Sequence, residues 1–455
     1  MSFKKTDIIL FTGFFLLLFG YLQGSMSLVS NGLNYVMLMV AVLLFFCYGV
    51  RKKSIAFEKA PMAAWFCILL PMLNRNYDLA AGDFEPLVRM GLFFLLLLLL
   101  IRDTDWAGTA WTVIRVYTVI HFALGLFFLL RQDLLTEYII PRFHMSETTR
   151  GLLDFAMKSG YMTGICNHYT VMGLYMALGV VAFSGVLYRE GRKKVTDYLW
   201  LAAFIVGLAI TGKRGPLVFA LLSLLIVWIL LIGRKMSRTT VKRVVLIACI
   251  GVLLVIGAFV AIPQVQNLAG RFMESDSFSE ITTGRPEFYW RHVYTMFTQD
   301  PLFGRGWRAF RELSVTEFNR RNRTDGHNIY LQLLGETGIF GFVLVMGAVI
   351  ATLVATYRAI RYIMKHRLME EKKAAVFGIS LAWQVFFLLY GLTENALYDG
   401  ACFYPYMVSA AAGWAAYVRV RHHKARQKKD GPGPAVPPDA GGPMGQDPQG
   451  YGNPA

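Results

Sequence analysis

The sequence predicts an all-α fold: a polytopic transmembrane helical bundle of about twelve spans, with a large extracytoplasmic loop that contains short helices. Three observations predict it. Hydrophobic residues make up 55% of the 455-residue chain and charged ones only 16%, where an ordinary globular domain is roughly 25% charged. The apolar residues gather in runs such as Leu92 to Ile101 and Val244 to Ile262, and a run of about 20 residues matches the hydrocarbon thickness of a bilayer. Lysine and arginine collect in alternate short segments between the runs, as the positive-inside rule requires.

The expected spans are 7–29, 32–50, 60–79, 84–101, 107–130, 160–188, 197–212, 215–233, 244–263, 327–357, 375–396 and 400–419. The third contains Pro71 and turns polar after Asn74. The first starts near Asp7 and has no small-residue cleavage site, so it reads as a retained span. Arg51 to Lys53, Arg189 to Lys194, Arg234 to Arg243 and Arg358 to Lys373 are basic, as are the N-terminus and Arg419 to Lys429. With both termini inside, every one of these falls on the cytoplasmic side. The expected organisation is an integral membrane domain over 1–420, with an extracytoplasmic loop at about 264–326. A cytoplasmic tail, 421–455, follows; it is basic, then rich in Pro and Gly, and expected to be disordered.

A net charge of +17 would suggest nucleic acid in a soluble protein. Here cations at the cytoplasmic ends of spans account for it, and no nucleic-acid partner is expected. Cys47, Cys67, Cys166, Cys249 and Cys402 lie in apolar stretches without a C-x-x-C pair. They read as small buried hydrophobes rather than as a disulfide framework or thiolate metal site.

The loop at 264–326 holds nine arginines and no lysine. A guanidinium grips phosphate with a planar fork that an ammonium lacks. Most of the nine have acids in the same loop to pair with, such as Glu287, Glu312 and Glu317. After Thr283-Gly284-Arg285, Pro286 signals a helix start. Tyr289, Val293, Met296 and Phe297 then recur at helical spacing until Asp300-Pro301. This predicts a short amphipathic helix at the membrane surface.

Three outward-facing elements hold candidates for chemistry. Lys213 and Arg214, flanked by Gly212 and Gly215 in a tight turn, suit an anionic ligand or, equally, lipid headgroups. Arg285 at a helix start suits a phosphate. His327-Asn328 stands at the mouth of the tenth span, and imidazole is suited to proton transfer near neutral pH; an interfacial anchor is the other reading. Arg89, Arg115, His121, Asn167-His168, Glu336 and Glu394 fall within expected spans, where ionisable groups pair or line cavities. Arg89 with Glu336 or Glu394 is a candidate structural pair. No phosphate-binding G-x-x-x-x-G-K-[ST] run and no paired-Asp motif is present. No feature demands a nucleotide or a metal, so no cofactor is expected; a lipid diphosphate donor would need neither, since its leaving group would be a stabilised anion that arginines can meet.

Several ordered segments carry a family resemblance. They are Gly284-Arg285 with Trp290, Asp300-Pro301-Leu302-Phe303-Gly304-Arg305-Gly306, His327-Asn328-Ile329-Tyr330-Leu331, and Leu334-Gly335-Glu336-Thr337-Gly338-Ile339-Phe340-Gly341. Together they resemble the O-antigen ligase and O-antigen polymerase superfamily of bacterial membrane glycosyltransferases. Thr211-Gly212-Lys213-Arg214-Gly215 is similar to that family's T-x-S-R-G motif, with Lys213 where serine is usual. The resemblance implies metal-independent, inverting transfer from an undecaprenyl-diphosphate-linked glycan to a glycan or lipid acceptor, on the outer face of the bacterial cytoplasmic membrane. Arg214 and Arg285 would bind the diphosphate, and His327 would act on the acceptor hydroxyl. Lys213, Arg305, Asn328 and Glu336 join them as expected substrate-binding residues. Membrane lipids and other membrane proteins of polysaccharide assembly are the remaining expected partners. The alternative is a non-enzymatic transporter or flippase for the same lipid-linked glycans. A transporter concentrates charge at the midplane, whereas these motifs sit at the outer surface.

Overall fold

The computed structural model describes residues 5–22, 31–74, 85–142, 147–166, 169–189, 194–232, 289–318 and 323–430. Its architecture is helical, with no strand among the described residues. The helices are α1 (Lys5–Leu22), α2 (Asn31–Lys52), α3 (Lys59–Met72), α4 (Glu85–Leu100), α5 (Trp106–Leu130), α6 (Glu147–Lys158) and α7 (Tyr169–Phe183). They continue as α8 (Val195–Ile210), α9 (Arg214–Ile232), α10 (Arg291–Gln299), α11 (Ala309–Thr316), α12 (Ile329–His366), α13 (Glu371–Tyr390) and α14 (Gly400–Asp430). Among the described residues, six helical stretches are long and apolar enough to cross a membrane: 32–52, 106–130, 169–188, 214–231, 329–366 and 371–390. Shorter apolar helices cover 6–19, 59–72, 86–100 and 195–210. The chain is therefore a membrane protein. The ninth expected span, 244–263, and Arg285 lie outside the described residues.

The bundle packs α1 on α2, α5 and α8 on α7, and α3, α13 and α14 on α12. Large side chains fill its centre, including Trp106, Trp111, Trp383, Tyr175 and Phe204. At one end of the bundle, Arg421 meets Glu58, Lys373 meets Asp105 at 3.0 Å and Arg419 donates to Thr104 at 3.0 Å. These contacts gather the segments near 58, 105, 373 and 421 at the same end. Turns 211–215, 326–328 and 391–399 meet at the other.

Three elements depart from the sequence reading. The sixth span was expected from 160, but α7 begins at Tyr169, and Gly160 and Gly164 bend the preceding chain with positive φ. An additional amphipathic helix, α6, precedes it and packs Leu153 against Phe128, Leu135 and Ile140. The last helix runs to Asp430, so the basic stretch 421–430, placed with the disordered tail, is helical. Its cations stay solvated along the helix while the apolar face continues to Val418 and Val420.

The fourth feature matters most for the site. α12 is broken at Gly338, whose φ of 65° and ψ of −174° are open essentially to glycine alone. A break frees two carbonyls and two amides, and buried backbone groups must find partners. The segment 301–306 supplies all four. Arg305 N–H donates to Gly335 O at 3.1 Å and Gly306 N–H to Glu336 O at 2.9 Å. Ile339 N–H donates to Pro301 O at 2.8 Å and Phe340 N–H to Leu302 O at 3.2 Å. Two sequence motifs thus form one structural unit. Asn74, past the end of α3, ties down the same loop: its amide donates to Phe303 O at 2.9 Å and its carbonyl accepts from Trp307 N–H at 2.7 Å.

Candidate functional site

The site is built on the turn that starts α12. Asn328 is the N-cap; its Oδ1 accepts from Tyr330 and Leu331 N–H, each at 3.0 Å. An N-cap of this kind satisfies donors that the first helical turn leaves open. Its Nδ2 donates to Leu392 O at 3.0 Å, which ties the cap to the turn after α13. Asn328 is therefore buried and structural in its contacts, one residue from His327.

His327 takes a left-handed backbone, φ 51°. For a non-glycine residue this costs on the order of 1 kcal/mol, and such strain persists only where the surroundings impose it. Two side chains impose it. His327 N–H donates to Asn395 Oδ1 at 2.8 Å, and Gly326 N–H donates to Gln332 Oε1 at 2.7 Å. The Gln332 amide has only one orientation open to it. Its Nε2 faces two carboxylates, Glu336 at 2.9 Å and Asp325 at 3.3 Å, so its oxygen must face Gly326.

The imidazole is 27% exposed, with Nδ1 3.1 Å from Oε2 of Glu394, itself 14% exposed. A carboxylate accepts, so this contact places the proton of a neutral ring on Nδ1 and leaves the Nε2 lone pair for a ligand. Tyr289 stands edge-on to the ring at 4.8 Å. Tyr289 follows Arg285 by four residues in sequence.

The turn 211–215 adjoins this point. A Cβ built on Gly215 stands 3.6 Å from Thr393 Oγ1, and the next residue is Glu394. Lys213 folds back so that its Nζ lies 3.9 Å from the centre of the Tyr169 ring, with its stem against Gly173. Tyr169 stacks on Tyr161, whose ring lies against Gly212. The lysine is thus held by a cation–π contact at the start of α7, and Arg214 opens α9.

Two other expected substrate-binding residues hold the loop. Arg305 contacts Gln299 and pairs with Glu317 at 3.2 Å. Glu336 is fully buried and accepts four bonds: Tyr398 OH at 2.6 Å, Gln332 at 2.9 Å, Arg308 N–H at 2.8 Å and Phe310 N–H at 3.3 Å. The last two place its carboxylate at the N-terminus of α11, where an anion is favoured. All four donors come from the protein, so Glu336 orders the loop from beneath.

α10 packs Val293 and Met296 onto Ala309, Phe310 and Leu313 of α11. Its helical character follows the expected spacing, starting at Arg291 after a wider turn at Tyr289-Trp290. Arg89 and Glu336 meet through a third residue: Arg89 donates to the Tyr398 carbonyl at 2.5 Å, while the Tyr398 hydroxyl serves Glu336. Arg115 donates to Ala182 O at 2.9 Å, and His121 is buried between Tyr117 and Tyr175, each ring centre 4.5 Å away. Gln332, Asn395 and Tyr398 were not read from the sequence. Nothing in the pattern around Gln332 sets it apart from any helical glutamine, and Asn395 is remote in sequence from the turn it serves.

Residues 199–346 match the O-antigen ligase family model. No curated protein matches the chain. The matched stretch contains the turn 211–215, Arg285, the broken-helix unit and His327, whereas Glu394 and Asn395 lie beyond it. Over this stretch, about a third of its length, the chain is similar to the O-antigen ligase family.

Proposed function

We propose that the protein transfers a glycan from an undecaprenyl-diphosphate-linked donor to an acceptor hydroxyl, without a metal ion and with inversion at the anomeric carbon, on the extracytoplasmic face of the bacterial cytoplasmic membrane. The observation that carries this reading is His327 held by Glu394 beside the Lys213-Arg214 turn. The base and the cations occupy one end of the bundle.

In the proposed reaction the acceptor oxygen attacks the anomeric carbon from the face opposite the diphosphate. Its proton passes to Nε2 of His327 as the new C–O bond forms. The bond from the anomeric carbon to the diphosphate oxygen breaks, and the released charge is met by Arg214, Lys213 and Arg285. Glu394 stabilises the imidazolium that results and holds the ring in position. Asn328 and Arg305 act through the turn and the loop. Other membrane proteins of polysaccharide assembly would deliver the donor.

The test uses purified full-length protein and a lipid-linked repeat unit. With the repeat unit alone, a ladder of longer products identifies a polymerase. Product formed only after a second acceptor is added identifies a ligase. If neither condition gives transfer, while the protein binds or moves the lipid-linked glycan between leaflets, the enzymatic reading fails.

A further inference from the structure

The outer loop carries an apolar tip that the transfer chemistry does not use. Leu302 and Phe303 are 61% and 59% exposed, although their backbone is fixed. The tip is bonded to Ile339 and Phe340 at the break in α12 and to Asn74 on its other side. Ile339 and Phe340 are themselves about half exposed, and Phe303 lies 6.0 Å from the Phe340 ring.

From that level an exposed stripe runs down α12 through Ile339, Val343, Ile350 and Val354, spaced to share one face of the helix. This is the face of a helix apolar enough to cross a membrane. The tip is thus level with the start of a lipid-facing surface and continuous with it. Polar anchors bound it on both sides. Asp300 Oδ1 accepts from Phe303 N–H at 3.3 Å, and Arg305 pairs with Glu317. An apolar tip between polar shoulders fits an interface where hydrocarbon meets headgroups. The carbonyls of 301, 302 and 303 are all paired within the protein, which lowers the cost of taking the tip out of water.

We infer that Leu302-Phe303 is a wedge inserted among the acyl chains of the adjacent leaflet, and that it seats the whole 289–318 segment on the membrane. The inference does not depend on the transfer reaction. It sets the height of the loop relative to the bilayer, whatever the loop does.

The test places the photo-crosslinking residue 4-benzoylphenylalanine at position 303 of the full-length protein in dioleoylphosphatidylcholine vesicles, with position 350 as a lipid-facing reference. Irradiation should add the mass of one phospholipid at 303, in yield comparable with that at 350. An adduct at 350 without one at 303 overturns the inference. A crosslink from 303 to a second copy of the chain overturns it too. Position 302, labelled separately, guards against a variant that fails to insert, and the same outcomes apply to it.

Discussion

His327 illustrates how a residue gains chemistry from its neighbours. A histidine at a helix mouth is ordinary; one with a left-handed backbone, a carboxylate on Nδ1 and two side-chain clamps on its turn is specialised. Replacing Glu394 by glutamine keeps the size but removes the fixed acceptor. The expected loss is about 10- to 100-fold in turnover, with the donor KM little changed, read from initial rates on a lipid-linked donor. His327→Ala should lose about 100-fold or more. Arg285→Lys should also fail badly, because the bidentate fork is lost. Gln332→Leu leaves the Gly326 amide and part of Glu336 unsatisfied. It should cost about 1–3 kcal/mol of stability, visible as a lowered unfolding temperature in detergent. Normal turnover and unchanged melting in that variant would show that the clamp is dispensable. Lys213 stands where the motif that this turn resembles has serine, and the structure gives the lysine a seat on Tyr169.

At the scale of elements, the break in α12 explains why two separated motifs are both glycine-rich. Gly338→Ala would force a side chain into the Leu302 carbonyl and an unfavourable backbone at once. A loss of about 2 kcal/mol or more is expected, measured by thermal unfolding, together with faster hydrogen exchange at Ile339 and Phe340. Wild-type protection at those amides in the variant would contradict the pairing. The existence of many of these elements was legible in the sequence, because hydropathy runs mark spans and the period of 3.6 marks faces; Pro286, read as a helix start, lies outside the described residues. The pairing between 301–306 and 335–340 was not. It joins backbone groups, which no side-chain pattern reports. The motif residues were grouped by resemblance, and Glu336 and Arg305 carry contacts within the loop that composition does not distinguish from ligand contacts. The continuation of α14 to Asp430 was missed because a run of cations reads as a solvated tail, whereas a helix can carry such a run on one already nucleated by packing.

At the scale of the molecule, the contacts sort the loops into two groups at opposite ends. The segments near 58, 105, 373 and 421 share one end, and those near 74, 213, 303, 327 and 394 share the other. This grouping agrees with the alternation of basic loops along the chain. A reporter enzyme fused near residue 300 should be active only outside the cytoplasm; activity on the cytoplasmic side would invert the proposed site.

The stitching of 301–306 into α12 also sets rules for exchanging parts between related proteins. The outer loop is not a detachable insert, because its amides and carbonyls complete a helix whose second half follows some 35 residues later. A chimera whose joint falls between Gly306 and Gly335 would combine two halves of one hydrogen-bonded splice from different parents. Grafts that carry 300–341 as a single cassette, with the residue standing at Asn74 matched to it, should transplant the loop intact.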